Sequence, residues 1–142
     1  MKIPLYDEVL ITDEINPLSA TVATNGTGVD VSGWDGVIFI LNVGLLAATA
    51  TLNAKIQRDG DSGFSDPTDL TPAMAQLADY DDNEIHLFSV PTEILPAGEK
   101  FARIVVTPAT AAALIGATAI RYRREGGLPP TQVADSTTKV TA

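Results

Sequence analysis

The chain contains no cysteine, one histidine, few aromatics and few bases. Each shortage closes a route. Without cysteine there is neither a disulfide framework nor thiolate chemistry. With His86 alone, a zinc site would need carboxylates for its remaining ligands, an unusual structural set. Nucleophilic catalysis needs a hydroxyl or thiol beside a base. The lone imidazole sits at an alternating strand position, and no G-x-S-x-G elbow occurs. Phosphate loops and dinucleotide fingerprints are also missing. The N-terminus, MKIPLYDEVLITDE, turns acidic within eight residues and has no apolar h-region, so no signal peptide is expected.

The bases are not only few but unevenly placed. Net charge is −9 over 142 residues, yet residues 1–99 carry sixteen acids against three bases, and residues 100–142 six bases against two acids. An acidic body is repelled by nucleic-acid phosphates and anionic membranes, so neither is an expected partner. The acidic body and basic C-terminal part suit contacts between copies, or docking on a larger acidic lattice. A soluble acidic domain whose last strand happens to be basic is the alternative.

What is present is Ala, Val, Ile, Leu and Thr, a blend that suits half-buried strands. From Thr49 to Arg58 the chain alternates, with Ala50, Leu52, Ala54 and Ile56 on one face and Thr51, Asn53, Lys55 and Gln57 on the other. Val37–Leu41 is a continuous apolar run that fits a central strand covered on both faces. With Gly44 and Leu45–Ala47 as the link, residues 36–58 read as a long hairpin. Further strands are expected over Leu18–Thr24, Glu84–Val90, Phe101–Thr107 and Ala117–Arg124, each closed by Gly, Pro or Asn. In the last, Ile120 and Tyr122 share one side, Arg121 and Arg123 the other. Two uncharged stretches, Gly36–Ala54 and Ile104–Ile120, are long enough to span a membrane. Their Asn, Thr and Pro content marks them instead as strand pairs joined by a turn. Brief helices are expected at Thr71–Leu77, with Thr71 as N-cap and Pro72 as first residue, and at Thr110–Leu114.

Seven or eight strands at about ten-residue spacing imply one all-β domain, an antiparallel jelly-roll or Ig-like β-sandwich over residues 17–125. Residues 1–16 form an extended N-terminal arm. Residues 126–142 form a C-terminal arm rich in Gly, Pro, Thr and Ser, unable to bury enough surface to fold alone. Leu128, Pro129, Pro130 and Val133 give it grip on a neighbour, and Val140-Thr141 could add a strand to another sheet. With Arg121, Arg123 and Arg124 these are the expected partner-binding residues. Three arginines on one strand are too small a footprint for nucleic acid.

The acidic loops invite a test for metal. Asp59-Gly60-Asp61-Ser62-Gly63 has the flavour of an oxygen-ligand loop, but an EF-hand needs an acid at its twelfth position, here Leu70. Solvated turns are the expectation, with no catalytic residue, metal or cofactor.

One segment resembles known proteins. The run Gly28-Val29-Asp30-Val31-Ser32-Gly33-Trp34-Asp35-Gly36 leading into Val37–Gly44 is similar to a turn-and-strand segment of small phage structural proteins. There, as here, an alternating strand (Thr51–Arg58), an Asp/Ser/Gly loop with an aromatic (Asp59–Phe64) and a basic-aromatic strand (Lys100–Val105) follow. The resemblance covers about residues 18–125 and points to capsid decoration, or cement, subunits of tailed bacteriophages. It implies a β-sandwich body, homo-oligomers (a trimer favoured) on the capsid exterior, the major capsid protein as partner, and arms reaching over neighbours. Such a protein would pass through the host cytoplasm during assembly. A tail or connector protein, and a carbohydrate- or receptor-binding module using Trp34, Phe64 or Tyr80, are the rival expectations.

Overall fold

A computed structural model describes residues 8–123. They form nine strands: β1 (Val9–Ala20), β2 (Thr24–Asn25), β3 (Val29–Asp30), β4 (Gly36–Leu46), β5 (Thr51–Asp59), β6 (Thr68–Asp69), β7 (Ile85–Pro91), β8 (Phe101–Ala109) and β9 (Ala113–Tyr122). Pairing is antiparallel throughout, in two sheets. Sheet A has the order β1-β9-β4-β7; sheet B has β2-β8-β5-β6, with β3 also on β8. The inward residues of both meet in one buried cluster, among them Phe39 and Leu41 from sheet A and Leu52 and Ile104 from sheet B.

The two long uncharged stretches are the centre of this arrangement. Gly36–Ala54 holds β4 and the start of β5, and Ile104–Ile120 holds most of β8 and β9. Each crosses from one sheet to the other, so that β4 pairs with β9 and β5 with β8. Four strands with neighbours on both sides need little charge, which explains the composition. The hairpin expected over residues 36–58 is therefore corrected: β4 and β5 are consecutive but lie in different sheets. Alternation reports which side of a strand is buried, not which strand lies beside it. No described helix is long and apolar enough to cross a membrane.

Other expectations shift for physical reasons. Residues 9–16, expected in an arm, are the first part of β1, which pairs with β9 from Val9↔Tyr122 to Ala20↔Ala113. The strand expected to run to Thr24 ends at Ala20; Val22 is exposed, and Thr24-Asn25 belong to sheet B. Neither expected helix forms. Along 71–77 the Met74 and Leu77 amides donate to Ala54 and Leu52 of β5, so sheet bonding replaces helical bonding. Thr110 has φ 71° in the turn into β9, and Ala113 and Leu114 are already strand. Residues 1–7 and 124–142, which include the expected C-terminal arm, lie outside the described residues.

The Gly28–Gly36 segment is built by its small residues. Gly28 (φ 85°) lies against Phe64, whose ring edge occupies the space a Cβ would need. Asp30 Oδ1 accepts the Ser32 amide at 2.8 Å, and the Trp34 amide donates to Val31 O at 3.0 Å, closing the turn that leads into β4.

Candidate docking face

Opposite residues of an antiparallel pair point to the same side of the sheet, so the register of sheet A defines its two faces. Val37, Phe39, Leu41 and Val43 of β4 and Ala117 and Ala119 of β9 face the core. The opposite face shows three rows across neighbouring strands: Ile11–Ile120–Ile38–Ser89, Asp13–Thr118–Ile40–Leu87, and Gly116–Asn42–Ile85. Ile85 and Leu87 are 67% and 66% exposed, and Ile38, Ile40 and Ile120 are half-buried. Val37–Leu41 is thus covered on one face only. Asp13 is the single charge in these rows.

A groove of about 460 Å³ opens on this side, between β1, β9 and β4. It exists because β1 bulges: two residues, Asn16 and Pro17, stand opposite Gly116, and Pro17 leans onto that glycine. Leu18, Leu114, Gly116 and Gly44 line it with little polar surface.

The outer face of sheet B is of another kind. Lys55 Nζ meets Asp69 Oδ2 at 2.7 Å, Gln57 Nε2 donates to Asp69 Oδ1 at 2.9 Å, and Arg103 donates twice to Gln57 Oε1 at 3.0 and 2.8 Å. Arg103 also stacks on Phe64, 4.4 Å from the ring centre. This face is polar and bonded to itself. A chain of net charge −9 that leaves one sheet face apolar and nearly uncharged presents a surface suited to another protein.

The arginines singled out in the sequence lie elsewhere. Arg121 points to the core side at the end of β9; its Nη1 donates to Asp30 O at 3.0 Å and its guanidinium lies 5.6 Å from the Trp34 ring centre. Burial pulls its pKa below the ordinary arginine value, with Asp30 and Glu14 acting against that. Arg123 stacks on the same ring at 4.3 Å. Both side chains already hold partners within the chain. Arg124, Leu128, Pro129, Pro130 and Val133 lie outside the described residues. Trp34, half-buried and carrying two guanidinium groups, offers little free ring to a sugar.

The acidic loops work on the backbone. Asp59 accepts the Asp61 and Asp66 amides at 3.0 and 2.9 Å, which together with Gly60 holds its pKa below the usual value. Asp79 accepts from Thr49 N and Asp82 from Leu46 N, both at 2.6 Å, tying the loop before β7 to the β4–β5 crossing. Asp81 caps Ala78 N at 2.9 Å, and His86 Nε2 lies 2.9 Å from Glu84 Oε2. Among the described residues no three His, Asp or Glu side chains converge as a metal site.

Glu14 was missed by sequence reading. It occupies a second irregularity of β1, between Asp13 and Ile15, and turns inward. Oε2 accepts the Gly28 amide at 3.2 Å, while the buried Oε1 has no partner. Burial pushes its pKa up to about 7, against the pull of that amide, the Ile104 backbone, Arg121 and Arg103. No sequence signal marks a bulge that reverses one carboxylate.

No family model, curated protein or solved structure matches this chain.

Proposed function

We propose that this chain is a non-enzymatic structural subunit, a β-sandwich of the jelly-roll or Ig-like kind, that decorates and cements the exterior of a tailed-phage capsid. The observation that carries the docking part is the outer face of sheet A, with its rows of Ile and Leu and one carboxylate. The particular lattice, built of major capsid protein, is suggested by the resemblance of residues 18–125 to decoration subunits.

The physics suits the role. A subunit that binds the assembled shell and not its dispersed parts stabilises the shell by mass action. Homo-oligomers, a trimer in the first instance, multiply a weak apolar contact, because the second and third contacts form intramolecularly. A face of isoleucine and leucine needs no charge partner on the lattice, so the net negative charge of the subunit is kept on other surfaces.

Purified protein should co-sediment with mature heads and raise their disruption temperature. Failure to co-sediment at micromolar protein would overturn the reading. A tail or connector location is the second reading, and a labelled antibody that marks the neck or tail by electron microscopy would select it. The Arg123–Trp34 and Arg121–Trp34 contacts speak against a carbohydrate platform at Trp34.

A further inference from the structure

We infer that Glu14 and Arg121 form a proton-operated switch between the sheets: Arg121 holds the Asp30–Trp34 turn while Glu14 is neutral, and turns to pair with Glu14 once it is ionised. Three buried side-chain atoms without a hydrogen-bond partner mark the place, Thr12 Oγ1, Glu14 Oε1 and Arg121 Nε. Buried polar groups nearly always have partners. Orphans of opposite kind, an acceptor and a donor, point to a second arrangement in which they meet. All three side chains face the interior. Thr12 and Ala119, like Leu10 and Arg121, are paired on the side opposite to Ile11 and Ile120, and the irregularity between Asp13 and Ile15 turns Glu14 the same way.

The two heads are near enough to meet. Glu14 Oε2 accepts the Gly28 amide at 3.2 Å, and Arg121 Nη1 donates to Asp30 O at 3.0 Å. Gly28 and Asp30 are two residues apart, so these anchors stand at most about 10 Å from each other. The long stem of an arginine sweeps its head across such a gap. The groups around Glu14 leave one candidate. From β8, Arg103 is spent on Gln57 Oε1 and the Phe64 ring. From β3, Asp30 is itself an acid; its carboxylate holds the Ser32 amide and is drawn on by Lys100. From β9, Arg121 is a permanent cation with an unpartnered Nε. Burial raises the pKa of Glu14 to about 7, with Arg121 among the groups that oppose the rise. Once ionised, a carboxylate left alone between the sheets is costlier than one paired with a guanidinium. Arg121 then leaves Asp30 O, and the Trp34 ring keeps only the Arg123 guanidinium. Because pairing favours the ionised form, the switch is centred between the ordinary 4.5 and about 7.

The switch needs no shell, so its test is separate from that of the docking reading. Trp34 is the only tryptophan of the chain. In the full-length protein its emission should change in one step, centred between pH 4.5 and about 7. The step should vanish in Glu14→Gln, which keeps the shape and removes the ionisation, and persist in His86→Gln. NMR reads the movement of Arg121 itself. A through-hydrogen-bond coupling between its guanidinium nitrogen and the Glu14 carboxylate carbon should be present at about pH 8.5 and absent at about pH 4. Constant emission across this range, or a step that survives Glu14→Gln, would overturn the switch. So would a missing coupling at about pH 8.5, because Glu14 would then ionise without moving Arg121.

Discussion

Glu14 sits where a bulge in β1 turns a carboxylate into the space between the sheets, one oxygen on the Gly28 amide and the other on nothing. Its pKa stands at about 7 in the fold against 4.5 as the ordinary value. The folded state therefore holds a proton that the unfolded state has released, and stability falls as pH rises from 4.5 to 7. Glu14→Gln removes the ionisation and keeps the shape. At pH 8 it should raise unfolding free energy by up to about 3 kcal/mol, with the gain fading toward zero at pH 4.5, since each pKa unit corresponds to about 1.4 kcal/mol. Urea titrations at the two pH values check this; equal gains at both would refute it. The neighbouring Gly28 is constrained from two sides, by φ 85° and by Phe64. Gly28→Ala should cost roughly 1–3 kcal/mol in the same titration, as left-handed backbone does for residues with a Cβ.

At the scale of elements, alternation located strands well, because burial on one face writes itself into residue type. Thr51–Asp59 is the clear case: Leu52, Ala54 and Ile56 are buried and Lys55 is on the outer face. Leu52→Ala should cost about 3 kcal/mol, as large-to-small changes in a packed core do. Lys55→Ala, which breaks an exposed ion pair with Asp69, should cost less than about 1 kcal/mol. Thermal melts of the two variants side by side test the assigned face. What alternation did not reveal is equally physical. The outer apolar rows were illegible because β4 and β7 carry apolar residues on both sides: Ile38 and Ile40 alternate with Val37, Phe39 and Leu41, and Ile85 and Leu87 with Phe88 and Val90. Val37–Leu41 therefore reads as a doubly covered strand, and Glu84–Val90 as a strand with neither face marked. In β9 the core side is that of Ala117, Ala119 and Arg121, so the polar-looking side is the inner one. Arginine's long aliphatic stem lets it end a core face while its head finds Asp30 and Trp34.

At the scale of the whole molecule, the two sheets divide the surface by chemistry, and salt would distinguish which part of it serves the docking proposed above. Contacts made by Arg121, Arg123 and their neighbours with acidic groups would be screened, since the Debye length shrinks from about 10 Å at 0.1 M to about 3 Å at 1 M salt. Contacts made by Ile38, Ile40, Ile85 and Leu87 gain from dehydration and have no charge to screen. Raising salt also damps the repulsion between copies of a −9 protein. Binding to heads through the outer face of sheet A should therefore persist, or strengthen, between 0.1 and 1 M NaCl. The double substitution Ile85→Lys with Leu87→Lys should abolish that binding and yet shift the melting temperature by only a few degrees, because both side chains are about two-thirds exposed in the free protein. Co-sedimentation across the salt series, with the double variant alongside, separates the alternatives. Loss of binding at 1 M NaCl with full binding by the lysine variant would move the contact from the isoleucine rows to the basic end of the chain.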